Sequence, residues 1–85
     1  MDSTTYRNWR VLCWNVRGLN SDARQRDVRA KIEESQCSIV CLQETKMALI
    51  CSSVVLDTLG AEFDDYSYLP AHGMRGGILH GRAGT

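Results

Sequence analysis

Two apolar runs stand out from a largely polar chain. The first, Val11-Leu12-Cys13-Trp14, lies within residues 10–15 and is followed by Asn15. The second, Ile39-Val40-Cys41-Leu42, lies within residues 38–42 and leads into Gln43-Glu44-Thr45-Lys46. Short unbroken runs of this kind predict strands, and the second is expected to be covered on both faces. Between them, helical spacing extends from Asp22 to about Glu34. Its apolar stripe is narrow (Ala23, Val28, Ile32), and Asp22 with Gln25 three residues on is close to a capping-box pattern. The order strand–helix–strand is a βαβ unit, whose two strands are parallel neighbours ending at one edge. Asn15 and Glu44 are therefore expected side by side, where open α/β sheets place their ligands.

Further along, Cys51, Val54, Val55 and Leu59 recur at helical spacing and predict a second helix over 47–59, ended by Gly60. Residues 63–69 predict a third strand, with Tyr66 and Tyr68 on one face. Pro70-Ala71-His72-Gly73 is a turn, and 76–79 form a fourth strand antiparallel to the third. Gly76 and Gly77 suit a strand that starts against close neighbours. They are a poor phosphate cradle, lacking the lysine and the helix start that such loops need. Residues 1–8 form a polar, flexible N-terminus. Residues 80–85 are expected to be a tail outside the strand, an end imposed on the chain.

Composition narrows the picture. The 85 residues make one small domain, and 44% hydrophobic with 24% charged residues is ordinary for a globular chain. The formal net charge of zero argues mildly against a free-standing nucleic-acid binder. Arg24, Arg26, Arg29 and Lys31 cluster, but Asp22, Asp27, Glu33 and Glu34 lie among them, so they are expected to form a solvated helix face. There are four cysteines. The start carries no leader pattern, so Cys13, Cys37 and Cys41 are expected as reduced, buried thiols of an intracellular protein, with a nucleus among the options. Cys37-x3-Cys41 does not have zinc-site spacing. No apolar stretch approaches the ~20 residues that cross a bilayer.

On residue type alone, Asn15 is a loop cap and Glu44 a surface acid, with an amide and a hard oxygen ligand suited to Mg²⁺ and phosphate as the sharper reading. Three segments decide between them. Leu12-Cys13-Trp14-Asn15-Val16-Arg17-Gly18-Leu19-Asn20, Cys41-Leu42-Gln43-Glu44-Thr45-Lys46 and Tyr68-Leu69-Pro70-Ala71-x-Gly73-x-Arg75-Gly76-Gly77 resemble, in order and spacing, the endonuclease/exonuclease/phosphatase (DNase I-like) family. The likeness runs from about Trp9 to Leu79. It is strongest to the apurinic-type endonuclease domain that begins plant LINE-type (non-LTR) retrotransposon polyproteins, where the domain accompanies a reverse transcriptase.

The resemblance implies an α/β (α+β) fold, the N-terminal half of a four-layer α/β/β/α sandwich, truncated. It implies Mg²⁺- or Mn²⁺-dependent hydrolysis of DNA phosphodiesters by the intact parent. Asn15 would contact the scissile phosphate or the metal's shell, Glu44 would ligate the metal, and Lys46 would sit beside the substrate. Arg17 stands where some repair-type relatives carry an Asp. The family's later groups, a Tyr, an Asp-x-Asn pair and an Asp-His, are not recognisable here, and His72 and His80 lie in the wrong context to replace them. The expectation is an inactive fragment that binds metal weakly and associates with itself through an uncovered sheet face. A non-enzymatic nucleic-acid or protein interaction module using the remnant cleft is the alternative.

Overall fold

A computed structural model describes residues 10–84; the expected N-terminal segment 1–8 lies outside them. Six elements follow in the order β1 (Val11–Asn15), α1 (Asp22–Ser35), β2 (Ile39–Gln43), α2 (Ser52–Leu59), β3 (Asp65–Leu69) and β4 (Ile78–Arg82). The strands form one mixed sheet in the order β1-β2-β4-β3. β1 and β2 pair in parallel, Asn15 opposite Gln43, as the βαβ pattern predicts. β4 then lies antiparallel to both β2 and β3.

Side chains of a strand alternate between faces, and here the alternation divides the sheet cleanly. Val40, Leu42 and Leu79 are fully buried and join Val28 and Ile32 of α1 and Val55 and Leu59 of α2 in one core. Leu12, Trp14 and Tyr68 pack against its edge. Burying side chains of this size stabilises by roughly 1.5–3 kcal/mol each. The opposite face carries Val11, Cys13, Asn15, Cys41, Gln43, Ser67, Leu69, His80 and Arg82, exposed or half-buried. β2 is thus covered on one face only, contrary to its apolar run. Cys13 is exposed and Cys37 and Cys41 are half-buried, so the thiols are free but not buried as expected.

α1 starts one residue earlier than its sequence suggests. Ser21, not Asp22, is the N-cap, and its side chain accepts the Arg24 amide. Ala23 is exposed, and Gln25 takes its place on the buried stripe. The remaining arginines and acids lie on the wet face as expected, with the Arg29–Glu33 and Lys31–Glu34 pairs exposed. Such pairs contribute a few tenths of a kcal/mol.

α2 is shorter than 47–59: residues 47–51 are irregular, and Cys51 is an exposed N-cap instead of a core residue. The third strand begins at Asp65, after a turn that buries Phe63. The fourth does not stop at Leu79. His80 and Arg82 continue the ladder, and Gly81 is buried where an added Cβ would meet Leu59 Cδ1 at 2.5 Å. Pairing is a backbone matter, so the small and polar texture of 80–82 reflects a crowded inner face and an open outer one.

Candidate functional site

The site grows from two strand ends. Beyond Asn15 the chain keeps pairing with the segment after β2: Val16 N donates to Gln43 O (3.0 Å), Gly18 N to Glu44 O (2.8 Å) and Leu19 N to Thr45 O (2.9 Å). On its other side the same segment donates from Thr45 N to Gly77 O (3.2 Å) and from Lys46 N to Gly76 O (2.8 Å). Residues 43–46 are therefore clamped between two backbones. Gly77 is required by this closeness, because a Cβ there would collide with Thr45 Oγ1. Its φ of 92° is a second reason.

Within the clamp, Arg17 (φ 56°), Glu44 (φ 55°) and Lys46 (φ 59°) all hold left-handed backbone. The other non-glycine case, Gln36, is the ordinary left-handed cap of α1. Three such residues around one strand edge, at a cost of order 1–3 kcal/mol each, are the kind of strain that gathers at functional sites.

The side chains meet accordingly. Asn15 Nδ2 donates to Glu44 Oε2 at 2.7 Å, and Asn15 Oδ1 accepts from the Arg17 amide at 3.2 Å. Only one orientation of the amide satisfies both bonds, since a carboxylate cannot donate and a backbone N–H cannot accept. Both residues are exposed, so the pair faces solvent. Lys46 is half-buried, its Cδ 3.9 Å from where a Gly18 Cβ would stand, which lays the stem along the loop after Asn15. The two expected site residues, Asn15 and Glu44, are thus brought into contact, and Lys46 joins them at the same edge.

His72 and His80 do not. His72 sits in a turn bridged to Arg75, and His80 lies mid-strand opposite Cys41. Sequence reasoning missed two supports. Thr45, fully buried, packs where Gly77 leaves room. Gln25 Nε2, also buried, donates to Leu19 O at 2.7 Å and ties the loop after Asn15 to α1. The available signal for Gln25 was a polar residue three positions before Val28, on the same helix face.

An amide in contact with a carboxylate, with a lysine at the same edge, is a set of groups of the kind that hard cations and phosphate oxygens favour. Mg²⁺ is commonly held by one or two carboxylates, with water and substrate oxygens completing its shell. The residues fit the lower end of that range: among those described, no group of three His, Cys, Asp or Glu could hold an ion. A hollow of about 560 Å³ between α1 and Gly60–Phe63 shares no residue with this edge.

Comparison with protein-family models and with curated proteins finds no match. Among solved structures, the chain is similar to the crystal structure of the AP endonuclease LMAP from Leishmania major, with a TM-score of 0.58 and 24% identity. The match covers 98% of this chain and 27% of that one. The fold is therefore that of the corresponding segment of a DNase I-like AP endonuclease, and the chain spans about a quarter of its neighbour's length.

Proposed function

We propose that the chain is the opening segment of a DNase I-like, metal-dependent phosphodiesterase, of the kind that begins plant LINE-type retrotransposon polyproteins. The observation that carries this reading is the 2.7 Å contact of Asn15 with Glu44 at the shared end of two parallel strands. Glu44 would hold Mg²⁺ or Mn²⁺, and Asn15 and Lys46 would receive the phosphate. The metal, when bound, supplies positive charge that stabilises the phosphate in its transition state. Asn15 fixes the carboxylate's rotamer, and Lys46 adds a point charge with a shortened reach. DNA would be the partner of the intact parent.

By itself the chain does not hydrolyse DNA in this reading, because one carboxylate binds metal weakly and no positioned base lies beside Asn15 and Glu44 among the described residues. The uncovered sheet face, with Val11 56% and Leu69 63% exposed, would pair with a second copy.

Three measurements test it. Mn²⁺ titration followed by NMR should broaden the signals of Asn15 and Glu44 first, and Glu44→Gln should remove the effect; broadening centred elsewhere rejects Glu44 as a ligand. Supercoiled or abasic DNA with Mg²⁺ should remain intact, whereas nicking that Glu44→Gln abolishes would reject the inactive reading. Salt-sensitive DNA binding with no metal effect would favour the interaction module.

A further inference from the structure

The open face of the sheet carries a second chemical feature, independent of the phosphate-binding reading. Cys13 of β1 and Cys41 of β2 are register partners on adjacent parallel strands. Both belong to the face turned away from the helices, Cys13 exposed and Cys41 half-buried. Neighbouring strands lie about 4.8 Å apart, inside the ~4.4–6.8 Å Cα separation that disulfides span. Burial pushes the Cys41 thiol up, and the neighbouring Cys13 adds to the shift. Among the described residues β1 pairs with β2 alone, so as an edge strand it is free to adjust on closure.

We propose that Cys13 and Cys41 form a redox-active dithiol, which peroxides convert to a reversible cross-strand disulfide. Cys13, the more exposed, attacks the peroxide oxygen as its thiolate, breaking the O–O bond to give a sulfenic acid and water. Cys41 then attacks that sulfur and expels the second water. Two thiols and one hydrogen peroxide thus become one disulfide and two waters, the thiols losing two electrons. An in-register pair has its Cβ atoms slightly too far apart for an ideal bridge, so the bond is strained and easily reduced by small thiols. Cys37 and Cys51 have no such partner: Cys37 follows α1, and Cys51 sits at the start of α2. The bridge would tie β1 to β2 two residues before Asn15.

The test uses the whole chain, treated with hydrogen peroxide, blocked with N-ethylmaleimide and mapped by tryptic mass spectrometry. Cys37 and Cys41 fall between the same two cleavage points, Lys31 and Lys46, so the Cys37→Ser chain is mapped in parallel. The expected result is an intramolecular peptide pair joining Cys13 to Cys41, lighter by two hydrogens, retained in Cys37→Ser and reversed by dithiothreitol. In Cys13→Ser, Cys41 should stay unbridged. Four fully alkylatable thiols after peroxide, bridges distributed over Cys37 and Cys51, or bridges only between chains would each overturn the proposal.

Discussion

Glu44 shows what a left-handed backbone costs at a single position. Its φ of 55° suits glycine better than any side-chain-bearing residue. Glu44→Gly is therefore expected to exceed Glu44→Ala in stability by about 1 kcal/mol, read from urea midpoints. Equal midpoints would mean that the left-handed backbone costs nothing there. Gly77 presents the converse. Gly77→Ala adds a clash with Thr45 to an unfavourable φ and should cost about 1–3 kcal/mol. Removing the hydroxyl as well, in Gly77→Ala/Thr45→Ala, should recover part of that loss. Cys51 makes a third case. Its thiol is held below the ordinary range by the Ser53 hydroxyl at 3.1 Å, with backbone amides at the start of α2 adding to this. Because Cys41 shifts the other way, iodoacetamide near neutral pH should label Cys51 well before Cys41. The advantage should shrink as pH rises and both become thiolate.

The helices differ in how firmly they are set. α1 has 14 residues, a capping Ser21 and the buried Gln25–Leu19 bond. Ser21→Ala should cost about 1 kcal/mol of global stability. Gln25→Ala strands a buried carbonyl behind the candidate site and should cost about 1–3 kcal/mol. It should also perturb the NMR signals of Asn15, which a simple loss of helix packing would leave alone. α2 has 8 residues and no side-chain cap at Cys51. It also buries the Thr58 hydroxyl without a hydrogen-bond partner. Thr58→Val is expected to raise stability by roughly 1 kcal/mol, since it removes an unmet polar group at nearly constant shape. An unchanged or lowered melting temperature would show that the hydroxyl is satisfied in solution.

At the scale of the molecule, the sheet is two-faced. One face is closed by both helices, and the other leaves Val11, Leu69 and the cysteine row accessible. The face is mixed, with polar Asn15, Gln43, Ser67, His80 and Arg82 among its residues, and Val11 and Leu69 are its exposed large apolar side chains. Val11→Lys/Leu69→Lys should shift sedimentation toward monomer at concentrations where the parent chain associates. A parent chain that stays monomeric throughout would remove the basis for self-pairing through this face.

The apolar runs before Asn15 and Glu44, with a helix between them, were enough to place an amide and an acid at one edge, because βαβ geometry leaves little freedom in where parallel strands end. The three segment likenesses pointed to the right fold for the same reason: each marks a strand exit. Only the tertiary structure decided how residues 43–46 are held. The left-handed backbone at Glu44 and the closeness of Thr45 to Gly77 depend on three distant segments meeting, and no local pattern encodes such a meeting. The same holds for the length of β4 and for Cys13 being exposed and Cys41 half-buried. A run of apolar residues predicts burial, but which face is covered depends on what packs there, and here both helices lie on one side.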